Sequence, residues 1–296
     1  MVLRFTVADK TDVGKQREQN EDSAYKRMLS SEEGTTGLFI VADGMGGYQA
    51  GEVASMLAVE SISKALEIFF QPISEQPTIR LAPMEEAPTV KLNPAKAEEQ
   101  KQQQKTVKLP ETPIRRSVEE RLTAAIKQAN TAIIHYGEQK PAARGLGCTV
   151  TTVLVQDDKA YIANVGDSRT YLFRKGELKS LTKDHSLVAK LLEAKQIAPD
   201  EVYSHPQRNL IYRSLGAGHK NVEVDVFQET LQAGDVLLLC SDGLWEMVRD
   251  QDLKKQLQAV TESKSPQEVC DTLINMANAN GGEDNITAIV VRVDAR

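Results

Sequence analysis

Two stretches of the chain share one design: Gly37-Leu38-Phe39-Ile40-Val41-Ala42-Asp43-Gly44 and Val236-Leu237-Leu238-Leu239-Cys240-Ser241-Asp242-Gly243. Each reads as a short buried strand closed by Asp-Gly, so that a carboxylate stands at the strand's mouth and the glycine lets the backbone turn away. Taken singly, such an Asp-Gly is more often a turn than a site. Two copies change that weighting, and so do Asp22, Asp167 and Asp284, which fall at the mouths of other predicted strands or in the turns joining them. The cluster Gly44-Met45-Gly46-Gly47 after the first Asp-Gly leaves backbone carbonyls and amides open to a ligand.

Carboxylates gathered at one place repel each other and raise one another's pKa values unless cations neutralise them. The four histidines (His135, His185, His205, His219) are scattered and the three cysteines are far apart. The donors are therefore hard oxygens, which suit magnesium or manganese and not zinc. Two such ions clamp a phosphoryl group and lower the pKa of a bridging water for in-line attack. Asp43 is the candidate bridge, with the Gly44 carbonyl as a second oxygen donor. Arg17-Glu18-Gln19-Asn20-Glu21-Asp22 has the look of a solvated loop, yet it joins two predicted strands. Folded over the sheet's end, it brings Arg17 to an anion beside the acids. Other phosphate chemistries lack their motifs: no cysteine has an arginine six residues on, and no P-loop is present. The one Asp-x-Asp, Asp250-Gln251-Asp252, follows a predicted helix, not a buried strand.

The elements that must position these acids can be read from periodicity. Strands are predicted at 2–8, around 24–29, and at 148–155, 159–165, 170–174, 222–227, 235–240 and 286–293. Amphipathic helices are predicted at 52–70, from Ser117 onward with a Ser117/Glu120 capping box, and at 187–195, 250–260 and 266–279. Short turns between successive strands demand antiparallel pairing. Strand pairs and separated helix pairs predict an α+β sandwich, sheets inside and helices outside. Residues 71–116 are proline-rich and polar and read as an exposed, partly disordered insertion, with 94–105 able to form a polar helix. Residues 183–220 form a polar excursion of the kind that makes a flap.

The chain has 296 residues, 41% hydrophobic and 26% charged, as in an ordinary soluble globular protein. A net charge of −6 gives no broad basic surface, which argues against nucleic acid as the partner. No apolar run approaches the roughly 20 residues of a membrane span, and Met1-Val2-Leu3-Arg4-Phe5 lacks a signal-peptide pattern. Cys148, Cys240 and Cys270 are expected as buried free thiols in a reducing, cytoplasmic setting.

Arg17-x-x-Asn20-Glu21-Asp22, Ala42-Asp43-Gly44-Met45-Gly46-Gly47, Val165-Gly166-Asp167-Ser168-Arg169, Ser241-Asp242-Gly243 and Gly281-Gly282-x-Asp284-Asn285-x-Thr287 occur in this order. With them the chain resembles the metal-dependent type 2C protein serine/threonine phosphatases in their compact bacterial form. The resemblance implies a four-layer α-β-β-α sandwich of two antiparallel sheets, as a single catalytic domain over 1–296. It implies a two-metal centre of Mn²⁺ or Mg²⁺ at one end of the sheets, bridged by Asp43. Asp242 and Asp284 would bind one metal and the Gly44 carbonyl the other, with Glu21 and Asp22 acting directly or through water. Arg17 would hold the substrate phosphate, and a third, weaker ion would lie between Asp167 and Asp242. Asn285 would support the surroundings of Asp284, and His205 in the flap is a candidate proton donor, weighed against a capping role. The partners implied are phosphoproteins, substrates of a serine/threonine kinase, acted on by a monomer with no nucleic acid and no membrane. Where the family usually has Gly-Thr-Thr, this chain has Gly147-Cys148-Thr149, expected as a packing change. A catalytically silent scaffold of the same fold and a two-metal nuclease are the rival readings.

Overall fold

The computed structural model describes residues 3–30, 34–46, 50–71 and 117–295. Its strands are β1 (Leu3–Asp12), β2 (Asp22–Ser30), β3 (Thr35–Met45), β4 (Gly147–Cys148), β5 (Val150–Gln156), β6 (Lys159–Val165), β7 (Arg169–Arg174), β8 (Glu177–Ser180), β9 (Leu215–Gly216), β10 (Asp225–Thr230), β11 (Val236–Cys240) and β12 (Ile286–Ala295). Its helices are α1 (Ala50–Ala65), α2 (Val118–Gln139), α3 (Leu187–Glu193), α4 (Asp242–Trp245), α5 (Asp250–Glu262) and α6 (Pro266–Ala279). One sheet runs β1-β12-β11-β7-β8; the other runs β10-β6-β5-β3-β4-β9, with β2 also paired to β3. Every pairing of named strands is antiparallel.

Period-two alternation sorts the apolar side chains into three cores. On β3, Leu38, Ile40 and Ala42 join the core beneath α1 and α2, while Phe39 and Val41 join the core between the sheets. On β11, Leu238 and Cys240 lie beneath α5 and α6, while Leu237 and Leu239 face the other sheet. The layers are α, β, β, α, as the resemblance implies. The capping box that the sequence offers, Ser117 with Glu120, fixes the start of α2, and the structure shows a second, Ser265 with Glu268, at the start of α6.

Following the alternation toward one end, the layer between the sheets turns from apolar to polar. Thr151 and Thr170 share a hydroxyl–hydroxyl bond of 2.7 Å across the two sheets, and Thr149 and Ser168 share another of 2.7 Å. The apolar part supplies the stability, at roughly 1.5–3 kcal/mol for each fully buried Leu, Val or Phe. Groups that oppose burial can therefore gather at the other end.

Several expectations are corrected. Asp43-Gly44 does not end its strand: β3 runs on to Met45, pairing with β5 as far as Val41 and with β4 at Gly44 and Met45. The strand changes partner there instead of turning away. Asp242 does stand at the mouth of its strand, just past the end of β11, but the chain continues there as α4 and not as a bare turn. The helix predicted at 52–70 stops at Ala65 and a 3-10 turn, Glu67–Phe70, completes it. The strand predicted from Val222 begins at Asp225, and β8 is too exposed to leave an apolar trace in the sequence. Gly47 and, beyond Gln71, the predicted insertion with its polar helix lie outside the described residues. Among the described residues no helix is long and apolar enough to cross a membrane.

Candidate metal centre

Register brings the first two acids together. Asp22 opens β2 directly opposite Asp43 on β3, and such partners put their side chains on one face of the sheet. By alternation that face is the one between the sheets, where Phe39 and Val41 also point. The other sheet supplies Asp242, one residue beyond Ser241 at the end of β11, and Asp284 in the approach to β12. Gly243 permits this approach, because a Cβ there would stand 2.1 Å from the Asn285 carbonyl oxygen. Gly44 is likewise demanded by packing, since its Cβ would stand 2.1 Å from the Gly51 carbonyl oxygen and 2.5 Å from that of Glu21. Glycine at 44 thus lets α1 and the residue before β2 close on the strand end.

Asp167 arrives from the turn between β6 and β7 and is buried. Its carbonyl accepts the Trp245 indole N–H at 3.0 Å. The Arg169 guanidinium lies 3.5 Å over the Trp245 ring and holds Asp184 through bonds of 2.7 to 3.2 Å. His185 Nδ1 accepts the Gly166 N–H at 2.9 Å. The motif thus has a second tier from the flap's first residues, with Trp245 three residues after Asp242.

The electrostatics show a cluster short of positive charge. Burial, then the charges of Asp242 and Asp22, push Asp43 well above the usual carboxylate range. Burial raises Asp22 to about 6, although hydroxyls of Thr287 at 2.6 Å and Ser241 at 2.7 Å donate to its Oδ2. Asp242 rises to about 7, by burial and then by Asp284, against a hydrogen bond with Asp43. Asp167 is raised by burial and by Asp242, and Glu21 chiefly by burial. Glu246, which sequence reasoning passed over, is pushed to about 7 by burial and Asp242.

Two carboxylate oxygens decide what group fits. Asp22 Oδ1 and Asp242 Oδ1 are buried with no hydrogen-bond partner, a cost of about 1–3 kcal/mol or more for each when charged. A hard divalent cation satisfies such oxygens and relieves the repulsion together. The buried thiols of Cys148, Cys240 and Cys270 are all pushed up by burial and offer no thiolate. Cys148 directs its Sγ to the Ala54 carbonyl at 3.6 Å, consistent with a packing role. Among the described residues no three His, Cys, Asp or Glu side chains form a finished cage for one ion.

Arg17 Nη2 donates to Asp284 Oδ2 at 2.7 Å, so the loop does fold over the sheet's end and its arginine meets an acid of the cluster. The pin of this loop is Asn285. Its Oδ1 accepts the Glu21 N–H at 2.8 Å, and its Nδ2 donates to the carbonyls of Val13 at 2.9 Å and Gln19 at 2.8 Å. Its role is therefore wider than supporting Asp284: it sets where Arg17 and Glu21 stand. Asn285→Ala should destabilise the fold by about 1–3 kcal/mol through the abandoned backbone groups. Melting curves on the variant and the wild type check this.

His205 caps its own turn, its Nδ1 accepting the Gln207 N–H at 3.1 Å, which favours the capping role. Three residues on, Arg208 ties the flap to the centre through Glu246 at 3.1 Å and Glu283 at 2.7 Å. Ser241, Thr287 and Arg169 stood within the sequence motifs, but their roles follow only from strand alternation combined with the pairing of the sheets.

Residues 14–277 match the family model described as Protein phosphatase 2C. A serine/threonine phosphatase, stp, of Listeria monocytogenes serotype 4b is 34% identical over 285 residues, covering 96% of this chain and 94% of the relative. The serine/threonine protein phosphatase PstP of Mycobacterium tuberculosis is 33% identical over 293 residues, 99% of this chain but 45% of PstP. Among solved structures, the catalytic domain of PstP in complex with two manganese ions superposes with a TM-score of 0.72 at 30% identity, covering 99% of this chain and all of that one. With the acids assembled at one end of a matching sandwich, and with the likeness spanning nearly the whole sequence, the chain belongs to the protein phosphatase 2C family.

Proposed function

We propose that the chain is a metal-dependent protein serine/threonine phosphatase. The observation that carries this reading is the gathering of Asp22, Asp43, Asp167, Asp242 and Asp284 from two sheets, with one buried oxygen each of Asp22 and Asp242 left unpaired. Asp43 feels the charges of Asp22, Asp242 and Asp167 at once and would be the bridging ligand. Asp242 and Asp284 would hold one ion and the Gly44 carbonyl the other, with Glu21 and Asp22 acting directly or through water. Asp167 with Asp242 offers a third, weaker position. Two Mn²⁺ or Mg²⁺ ions held there would supply the Lewis acidity that activates water for attack on phosphorus near neutral pH.

The chain's own residues do the rest. Arg17 binds the phosphate oxygens, Asn285 holds Arg17 in reach, and the hydroxyls of Ser241 and Thr287 fix one oxygen of Asp22 so that the other points to the centre. The whole forms one catalytic unit over residues 1–296, with an insertion at about 71–116 and a flap at about 183–220. The substrates are phosphoserine and phosphothreonine in proteins, the products of a serine/threonine kinase, met by a cytoplasmic monomer. Two manganese ions in the PstP relative support the metal count.

A single assay separates the readings. A phosphothreonine peptide and a duplex DNA are each incubated with Mn²⁺, with Mg²⁺ and with EDTA. Release of phosphate from the peptide with Mn²⁺ and none in EDTA is expected. Peptide binding without turnover indicates a silent scaffold, and DNA cleavage a nuclease. Arg17→Ala should raise KM roughly 10-fold, the loss of a charge-assisted phosphate contact of about 1.5 kcal/mol; an unchanged KM would remove Arg17 from the site.

A further inference from the structure

Arg17 and a cation at Asp284 compete for one atom. Arg17 Nη2 donates to Asp284 Oδ2 at 2.7 Å, and the Asn285 backbone N–H donates to Oδ1 at 2.8 Å, so both oxygens of this carboxylate are engaged. Asp22 and Asp242, by contrast, each keep a buried oxygen with no partner. A guanidinium N–H and a divalent ion use the same lone-pair space of a carboxylate oxygen, the ion at about 2.1 Å for magnesium, and the two cations repel.

Resting on the phosphatase reading above, we propose that Arg17 is an exchangeable counter-ion: it holds Asp284 until a divalent cation takes that oxygen, and the displaced guanidinium then turns to the substrate phosphate. The geometry leaves the exchange open. The Arg17 side chain is 49% exposed and that of Asp284 30%. The base of the loop is held by its backbone, with the N–H groups of Lys15 and Gln16 both donating to the Gly282 carbonyl at 2.8 and 3.2 Å. The side chain can therefore swing without moving the loop. Cation and phosphate both favour the displaced arginine, so each tightens the binding of the other, and by linkage the two effects are equal. The phosphate-binding arm is thus delivered when the centre is loaded.

The one tryptophan of the chain, Trp245, lies three residues from Asp242 and bonds the Asp167 carbonyl, so its fluorescence reads ion binding without turnover. Mn²⁺ is titrated into wild type, Arg17→Ala and Lys15→Ala, with and without inorganic phosphate. Lys15 carries a neighbouring charge and its side chain makes no ion pair with Asp284, the acid being paired to Arg17, so its variant tests for a general field effect. Without phosphate, Arg17→Ala should bind Mn²⁺ roughly 2- to 5-fold more tightly than wild type, the range spanned by exposed ion pairs, and Lys15→Ala should match wild type. Phosphate should tighten Mn²⁺ binding more in wild type than in Arg17→Ala. Unchanged or weaker Mn²⁺ binding in Arg17→Ala overturns the exchange, as does an equal gain in Lys15→Ala. Peptide hydrolysis is measured in parallel: turnover with an unchanged affinity in Arg17→Ala removes the exchange alone, whereas neither binding nor turnover in wild type removes the phosphatase reading with it.

Discussion

Asp43→Asn and Asp242→Asn should each lower Mn²⁺-dependent phosphopeptide hydrolysis by roughly 1,000-fold or more, because the ions' several kcal/mol of charge stabilisation depend on these ligands. The same variants should melt at a higher temperature than wild type in EDTA near pH 7. Asp43 is forced well above its ordinary pKa by burial and by four neighbouring acids, so replacing it with a neutral amide removes a repulsion that the fold otherwise bears. The opposed signs are diagnostic: a residue needed only for folding would lose activity and stability together. Steady-state kinetics and calorimetry on one preparation decide it. Activity above a tenth of wild type would withdraw the ligand assignment.

The second large effect is on stability against pH. Asp22 and Asp242 titrate near 3.8 when unfolded, but at about 6 and about 7 when folded. Between those limits the folded protein holds more protons than the unfolded one, so stability falls as pH rises. It is fully present below about pH 4 and lost by about pH 7, at up to about 1.4 kcal/mol per pH unit for each group. In EDTA the melting temperature should accordingly decline from pH 5 to pH 7. Mn²⁺ should reverse the decline, adding about 2.7 kcal/mol at a hundred times its dissociation constant. Melting curves at both pH values, with and without Mn²⁺, check this, and a flat profile in EDTA would contradict it.

What the sequence made legible was local. Apolar runs closed by a carboxylate marked Asp43 and Asp242 because burial and charge alternate within a few residues, and a capping box marked the start of α2 for the same reason. Two particulars depend on distant partners: continuing a strand past Asp43 depends on β4, which follows about a hundred residues later, and the helix that starts at Asp242 brings Gly243 close to the Asn285 carbonyl. The supports of the site were less legible still. Ser241 and Thr287 reach Asp22 across 219 and 265 residues of sequence, and the Trp245–Arg169–Asp184 stack joins three elements. Such contacts follow from the order of strands in the sheets, which no local period encodes.

The division of the proposed ligands between the sheets bears on when the centre can exist. Asp22 and Asp43 belong to one sheet, Asp242 and Asp284 to the ends of strands in the other, and the Thr149–Ser168 and Thr151–Thr170 bonds join the two halves just behind them. A half-assembled chain, with one sheet formed and the other unpaired, owns only half of the donors and presents no site. Ion capture is then confined to the closing step of folding, and a bound pair acts as a rivet across the sandwich. Chelation should accordingly speed unfolding while leaving the early, sheet-forming phase of refolding untouched.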